Sequence, residues 1–82
     1  MYYTYILKSD KSGRYYIGHT LSISLRLAEH NGGRVKSTRN KGPWQCLYFE
    51  SFETRSEANR RELEIKNKKS RKYIEYLLDK RK

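Results

Sequence analysis

The chain has 82 residues, 35% of them hydrophobic and 34% charged, so it reads as one domain over residues 1–82 with room for a small core only. No run of about eighteen apolar residues occurs, which excludes a helical membrane span, and one cysteine with two histidines excludes a zinc site built on cysteine spacing. Nineteen Lys and Arg against nine Asp and Glu give a net charge of +10, which points to a polyanion, nucleic acid first of all; solubility alone is the plainer reading of the same charge.

The opening MYYTYIL carries no basic segment before its apolar residues and does not read as a signal peptide, so a reducing, cytoplasmic setting is expected. YYTYILKS, residues 2–9, alternates as a strand, with Tyr3, Tyr5 and Leu7 on one face and Thr4 and Ile6 on the other. SDKSG is a turn, and RYYIGHT is the partner strand of a hairpin. It sets Tyr16 and Gly18 on one face, and Tyr15, Ile17 and His19 on the other. From Leu21 to His30 the pattern becomes helical, with Ser22 as cap and Gly32 as stop. Residues 31–43 hold four basic groups, three glycines and the only proline, and predict a mobile basic loop. WQCLYFESF is a third strand, with Leu47 and Phe49 on one face and Tyr48 and Phe52 on the other. TRSE, residues 54–57, is a capping box opening a helix to about Lys68. Ser70 then caps a last helix with a stripe of Ile74, Leu77 and Leu78. The fold class is therefore α+β: a small three-stranded antiparallel sheet flanked by about three helices.

Three features carry candidate chemistry. Arg26 and His30 are four residues apart and share a helix face, from which both can reach a phosphate; a solvated face is the bland alternative. Glu62 falls on the stripe of Ala58 and Ile65, where a carboxylate is costly to bury unless a metal or a cation such as Arg61 or a lysine meets it. Gly18 interrupts a strand, as glycines do where a ligand or another backbone comes close. The tyrosines themselves can simply pack.

In order and spacing these residues resemble the GIY-YIG nucleases, in particular small stand-alone bacterial members related to the N-terminal nuclease domain found in the bacterial excinuclease ABC. Tyr16-Ile17-Gly18 keeps the second triplet of the signature, and Tyr3-Thr4-Tyr5 stands for the first, with Tyr3 and Thr4 in place of its glycine and isoleucine. Arg26 and His30 follow Gly18 by eight and twelve residues, as the family's helical arginine and histidine do, and Glu62 matches its metal-binding glutamate. The resemblance implies a cytoplasmic, metal-dependent endonuclease acting on DNA ahead of RNA, in repair or recombination. A non-catalytic nucleic-acid-binding module that retains the fold is the alternative, and a protein partner or homodimer is allowed. It further implies one Mg²⁺ or Mn²⁺ on Glu62, Arg26 facing the phosphoryl charge, Tyr5 or Tyr16 activating water, and His30 positioning a tyrosine or donating a proton. Gly18 would then leave room for a phosphate or metal. The cations expected to track the nucleic acid are Arg34, Lys36, Arg39 and Lys41 in the loop, and Lys66, Lys68 and Lys69 in the basic C-terminal stretch.

Overall fold

A computed structural model describes residues 1–80; Arg81 and Lys82, which add to the basic C-terminal stretch, lie outside the described residues. The elements run β1 (Tyr2–Ser9), β2 (Tyr15–Thr20), α1 (Ile23–Asn31), β3 (Trp44–Phe52), α2 (Arg55–Lys68) and α3 (Arg71–Lys80). The strands form an antiparallel sheet in the order β2-β1-β3, as the α+β reading expects. β1 is central, and Thr4 to Leu7 are buried within it.

Alternation along β1 divides the core in two. Ile6 faces Ile65 of α2 and Ile74 and Leu77 of α3, with Tyr48 and Tyr73 packed around them. Tyr5 and Leu7 face the other way, against Trp44 and the Ile23 and Leu27 side chains of α1. The buried Thr4 hydroxyl donates to the Ala58 carbonyl at 2.7 Å, so the α2 side leaves no orphan polar group there.

Local chemistry sets the ends of the elements. Ser22 caps α1, accepting from the Leu25 backbone. The Thr54 side chain accepts from the Glu57 backbone while Glu57 reaches back to the cap, so the capping box forms in full. Gly32 closes α1 in a right-handed conformation, and the left-handed turn falls one residue later, at Gly33 (φ 77°). The hairpin turn is built on Ser9, whose hydroxyl accepts from the Lys11 and Ser12 backbones and donates to the Lys41 carbonyl at 2.6 Å.

Two expectations change. In β3 a bulge lets Cys46, not Leu47, stand opposite Leu7, while Tyr48 stands opposite Ile6. One extra residue in one strand breaks the two-residue period that simple alternation assumes. The basic loop is also more tied than a mobile loop would be. Ser9 holds Lys41, Asp10 donates its backbone N–H to Pro43, and Asn31 brackets the Trp44 backbone with bonds of 2.7 and 3.1 Å.

Arg61 does not serve Glu62. It grips Glu50 of β3 through Nε and Nη2 at 3.0–3.3 Å and reaches the Tyr73 hydroxyl of α3 at 3.2 Å. Tyr48 donates to the same carboxylate. Burial by itself would raise the Glu50 pKa, but the bonds from Arg61 and Tyr48 outweigh it and hold the group below the usual carboxylate range. Arg61→Ala leaves Glu50 with Tyr48 but no cation, and removes the polar link from Glu50 of β3 to Tyr73 of α3. Urea unfolding should show a loss of about 1–3 kcal/mol, the cost of leaving a partly buried polar group unsatisfied.

Candidate active site

Antiparallel register puts Gly18 directly across from Tyr5 and Tyr16 across from Leu7, so both signature positions of β2 lie beside the buried ring of β1. A Cβ added at Gly18 would stand 2.6 Å from the Tyr5 hydroxyl oxygen and 2.8 Å from Cζ. The space left by the missing side chain is therefore filled by the Tyr5 phenol. This corrects the expectation that Gly18 leaves room for a phosphate or metal: its close neighbour is a tyrosine of the same sheet.

Tyr5 is 2% exposed, and its hydroxyl lies 3.1 Å from His30 Nε2. His30, also 2% exposed, holds Thr38 Oγ1 at 2.8 Å through Nδ1, and Thr38 donates to the Val35 carbonyl at 3.4 Å. One proton assignment satisfies the whole chain: Tyr5 O–H donates to Nε2, Nδ1–H donates to Thr38, and Thr38 donates to Val35. His30 is neutral in that assignment. Burial, helped by the nearby Arg26 charge, pushes its pKa below the ordinary 6.5. Both His30 nitrogens are thus engaged within the protein, by Tyr5 and by Thr38, and its ring meets that of Tyr16 edge-on.

The Tyr16 ring centroid is 4.7 Å from that of His30 and 6.4 Å from that of Tyr5, and Tyr16 is half-buried rather than enclosed. Burial pushes Tyr5 up to about 12, against a smaller opposing pull from the Arg26 guanidinium beside it. A phenol so placed keeps its proton at neutral pH. Arg26 itself is raised, first by its bond to Glu29 at 3.1 Å and further by Tyr5, so it remains charged.

Glu62 comes from the α2 side, at the β2 edge. Its Oε1 lies 2.6 Å from His19 Nδ1, and its Oε2 2.6 Å from the Lys66 ammonium. Its side chain is 12% exposed, and its charge is felt at the Tyr5 hydroxyl. His19 follows Gly18 on the strand, so the edge of β2 joins Glu62 to the tyrosine face. Neither His19 nor Thr38 is marked by the sequence as a site residue. His19 has only its place beside Gly18 as a signal, and Thr38 has none. Among the described residues no three His, Cys, Asp or Glu side chains gather as metal ligands. A lone carboxylate still suits Mg²⁺, which keeps several waters and takes its other oxygens from substrate phosphate.

The expected nucleic-acid contacts fall in two separate places. Arg34, Lys36, Arg39 and Lys41 are exposed on the loop before β3, with Arg39 Nε fixed to the Gly33 carbonyl at 2.9 Å. Lys66, Lys68 and Lys69 are exposed at the corner between α2 and α3, on the other side of the sheet from α1.

A family model described as the GIY-YIG catalytic domain matches residues 1–74. A UPF0213 protein of Listeria innocua is 45% identical over 82 residues, covering 98% of this chain and 88% of its own. One from Halobacterium salinarum is 42% identical over 67 residues, covering 80% and 86%. The NMR structure of a Bacillus halodurans UPF0213 protein superposes with a TM-score of 0.60 at 34% identity, covering 96% of this chain and 84% of that one.

The Gly18–Tyr5 contact predicts that Gly18→Ala costs about 1–3 kcal/mol, the range for overpacking a filled site. In a Tyr5→Ala background the cost should largely vanish, so denaturant melts of the four proteins should be strongly non-additive. A second expectation concerns pH. The folded pKa of His30 lies below its unfolded value, so its contribution is complete above about 6.5 and is lost as pH falls through the folded value. The stability difference between wild type and His30→Gln should therefore shrink on acidification below about pH 6.5.

Proposed function

Because the chain belongs to the GIY-YIG family and to its UPF0213 members, we propose that it is a divalent-metal-dependent endonuclease hydrolysing phosphodiester bonds in nucleic acid, DNA ahead of RNA. The observation that carries this reading is the meeting of Tyr5, Tyr16, Arg26 and His30 around Gly18, with Glu62 joined to the same strand edge through His19. In a chain of net charge +10, a carboxylate at that edge serves no phosphate-binding purpose of its own.

The residues divide the work by environment. Arg26 keeps its charge and can offset the negative charge that grows on the phosphoryl oxygens in the transition state. Tyr16, the less enclosed phenol, is the better candidate to orient and deprotonate water; Tyr5, pushed up to about 12, keeps its proton and fixes His30. His30 in turn sets the Tyr16 ring by contact. Glu62 would hold the divalent ion, which when bound supplies Lewis-acid polarisation of a phosphate oxygen. To do so, Glu62 must give up the exposed Lys66 ammonium, while His19 can keep the other oxygen oriented.

That same Glu62–Lys66 pair is the observation favouring the alternative, a binding module in which Glu62 is only structural. Metal-dependent cleavage of single-stranded, duplex, flap and branched substrates, run with wild type, Glu62→Gln, Arg26→Ala and Tyr16→Phe, separates the two. The nuclease reading expects Glu62→Gln to abolish cleavage with little loss of stability, and Mg²⁺ or Mn²⁺ to raise the Tm of wild type but not of that variant. Arg26→Ala should keep binding and lose cleavage by about 10² or more, as removal of a transition-state donor does. A Glu62→Gln protein that still cleaves would sink the assignment.

A further inference from the structure

On the face of β2 turned away from Gly18 and Tyr16, an open cavity of about 410 Å³ lies between the start of β2 and the corner joining α2 to α3. Ile17, Ile65 and Ile74 form its apolar lining; the other lining residues are four cations, Arg14, Lys66, Lys69 and Arg71, with Ser70 and Tyr15, and no Asp or Glu is among them. Arg14 and Lys69 take part in no ion pair among the described residues. Arg71 lies over the Tyr15 ring at 5.3 Å, with only the exposed Glu75 to answer its charge, at 3.3 Å.

The backbone goes out of its way to gather these charges. Lys69 ends α2 in the left-handed region (φ 47°), where a lysine costs about 1 kcal/mol or more and glycine is the usual residue. That turn brings Lys66, Lys69 and Arg71 around one hollow within a short stretch of the chain. Like charges so placed repel one another unless an anion sits between them. The start of α3, capped by the Ser70 hydroxyl on the Tyr73 backbone at 3.2 Å, adds to the same positive field.

We propose that this cavity is a second phosphate subsite, which holds a backbone phosphate of the bound nucleic acid away from the bond being cleaved. The identity of its ligand rests on the nuclease reading. Lys66 joins the two sites, since its ammonium is the one 2.6 Å from Glu62 Oε2. A phosphate in the cavity gives Lys66 a second anion and frees one Glu62 oxygen.

The test is binding of a labelled DNA of about 20 nucleotides, single-stranded and duplex, to the full chain in EDTA across a range of salt. Arg14→Gln/Lys69→Asn should weaken binding about tenfold at low salt and lower the slope of log K against log salt by about one, the signature of one lost phosphate contact. Arg60→Gln/Lys72→Gln, an equal charge change at exposed positions off the cavity, should leave the slope nearly unchanged. Arg14→Lys should retain the slope, and thermal melts would show that each variant folds. Equal effects from the two pairs would overturn the subsite and leave only general charge. Displacement of the DNA by inorganic phosphate at matched ionic strength would make it a small-anion site instead, and overturn it too. Cleavage measured in parallel separates the two readings: a wild type that binds and cleaves while the pairs behave alike loses only the subsite, and a wild type that binds neither DNA loses both.

Discussion

A neutral imidazole bonded at each nitrogen joins three stretches of chain that are distant in sequence: His30 of α1, Tyr5 of β1 and Thr38 of the loop before β3. Each bond is buried, so losing any one leaves a polar atom without water to replace its partner. The position of the helix over the sheet and the path of the basic loop are therefore set by the same group that orients the tyrosines. Burial lowers His30 and raises Tyr5, and the two shifts agree: both favour the uncharged pair that the hydrogen bonds require.

Charge is managed by pairing the few carboxylates where they are most needed. Glu50 ties β3 to α2 through Arg61, Glu62 holds His19 and Lys66, and Glu29 and Glu75 each hold an arginine on their own helix. The acidic residues so engaged leave the loop before β3 and the α2–α3 corner strongly positive, on opposite sides of the sheet. Arg14, just before β2, lines one hollow with Lys41 of that loop and another with Lys66 and Lys69 of that corner, so the two basic regions adjoin around the hairpin turn.

Strand alternation and capping chemistry are short-range, so β1, β2, the Thr54–Glu57 box and the stripe on α3 are legible directly from the residues. Spacing makes legible that Tyr5 and Tyr16 share a sheet face and that Arg26 and His30 share a helix face, because a two-residue period across a hairpin and a four-residue step on a helix each fix a face; that the two faces meet is implied only by the family resemblance. Three other things are not legible. The bulge at Leu47 depends on how β3 meets β1, and nothing local to WQCLYFESF announces it. His19 looks like a surface residue until α2 brings Glu62 to it across 43 positions of chain. Gly18 reads as an opening, yet the ring that fills it comes from the neighbouring strand, and only register reveals which residue that is.

Trp44 is the single tryptophan of the chain. It is 4% exposed, its indole N–H donates to the Thr38 carbonyl at 3.3 Å, and its ring lies 6.4 Å from that of Tyr16. The residue whose carbonyl it holds is the residue whose hydroxyl holds His30. The protein thus contains an intrinsic fluorophore tied to the loop before β3: an indole this dry is expected to emit to the blue of a wetted one, and its bond to Thr38 makes it a reporter of that residue's surroundings. A change in how the loop before β3 holds the imidazole can therefore be sought by light, with no label attached.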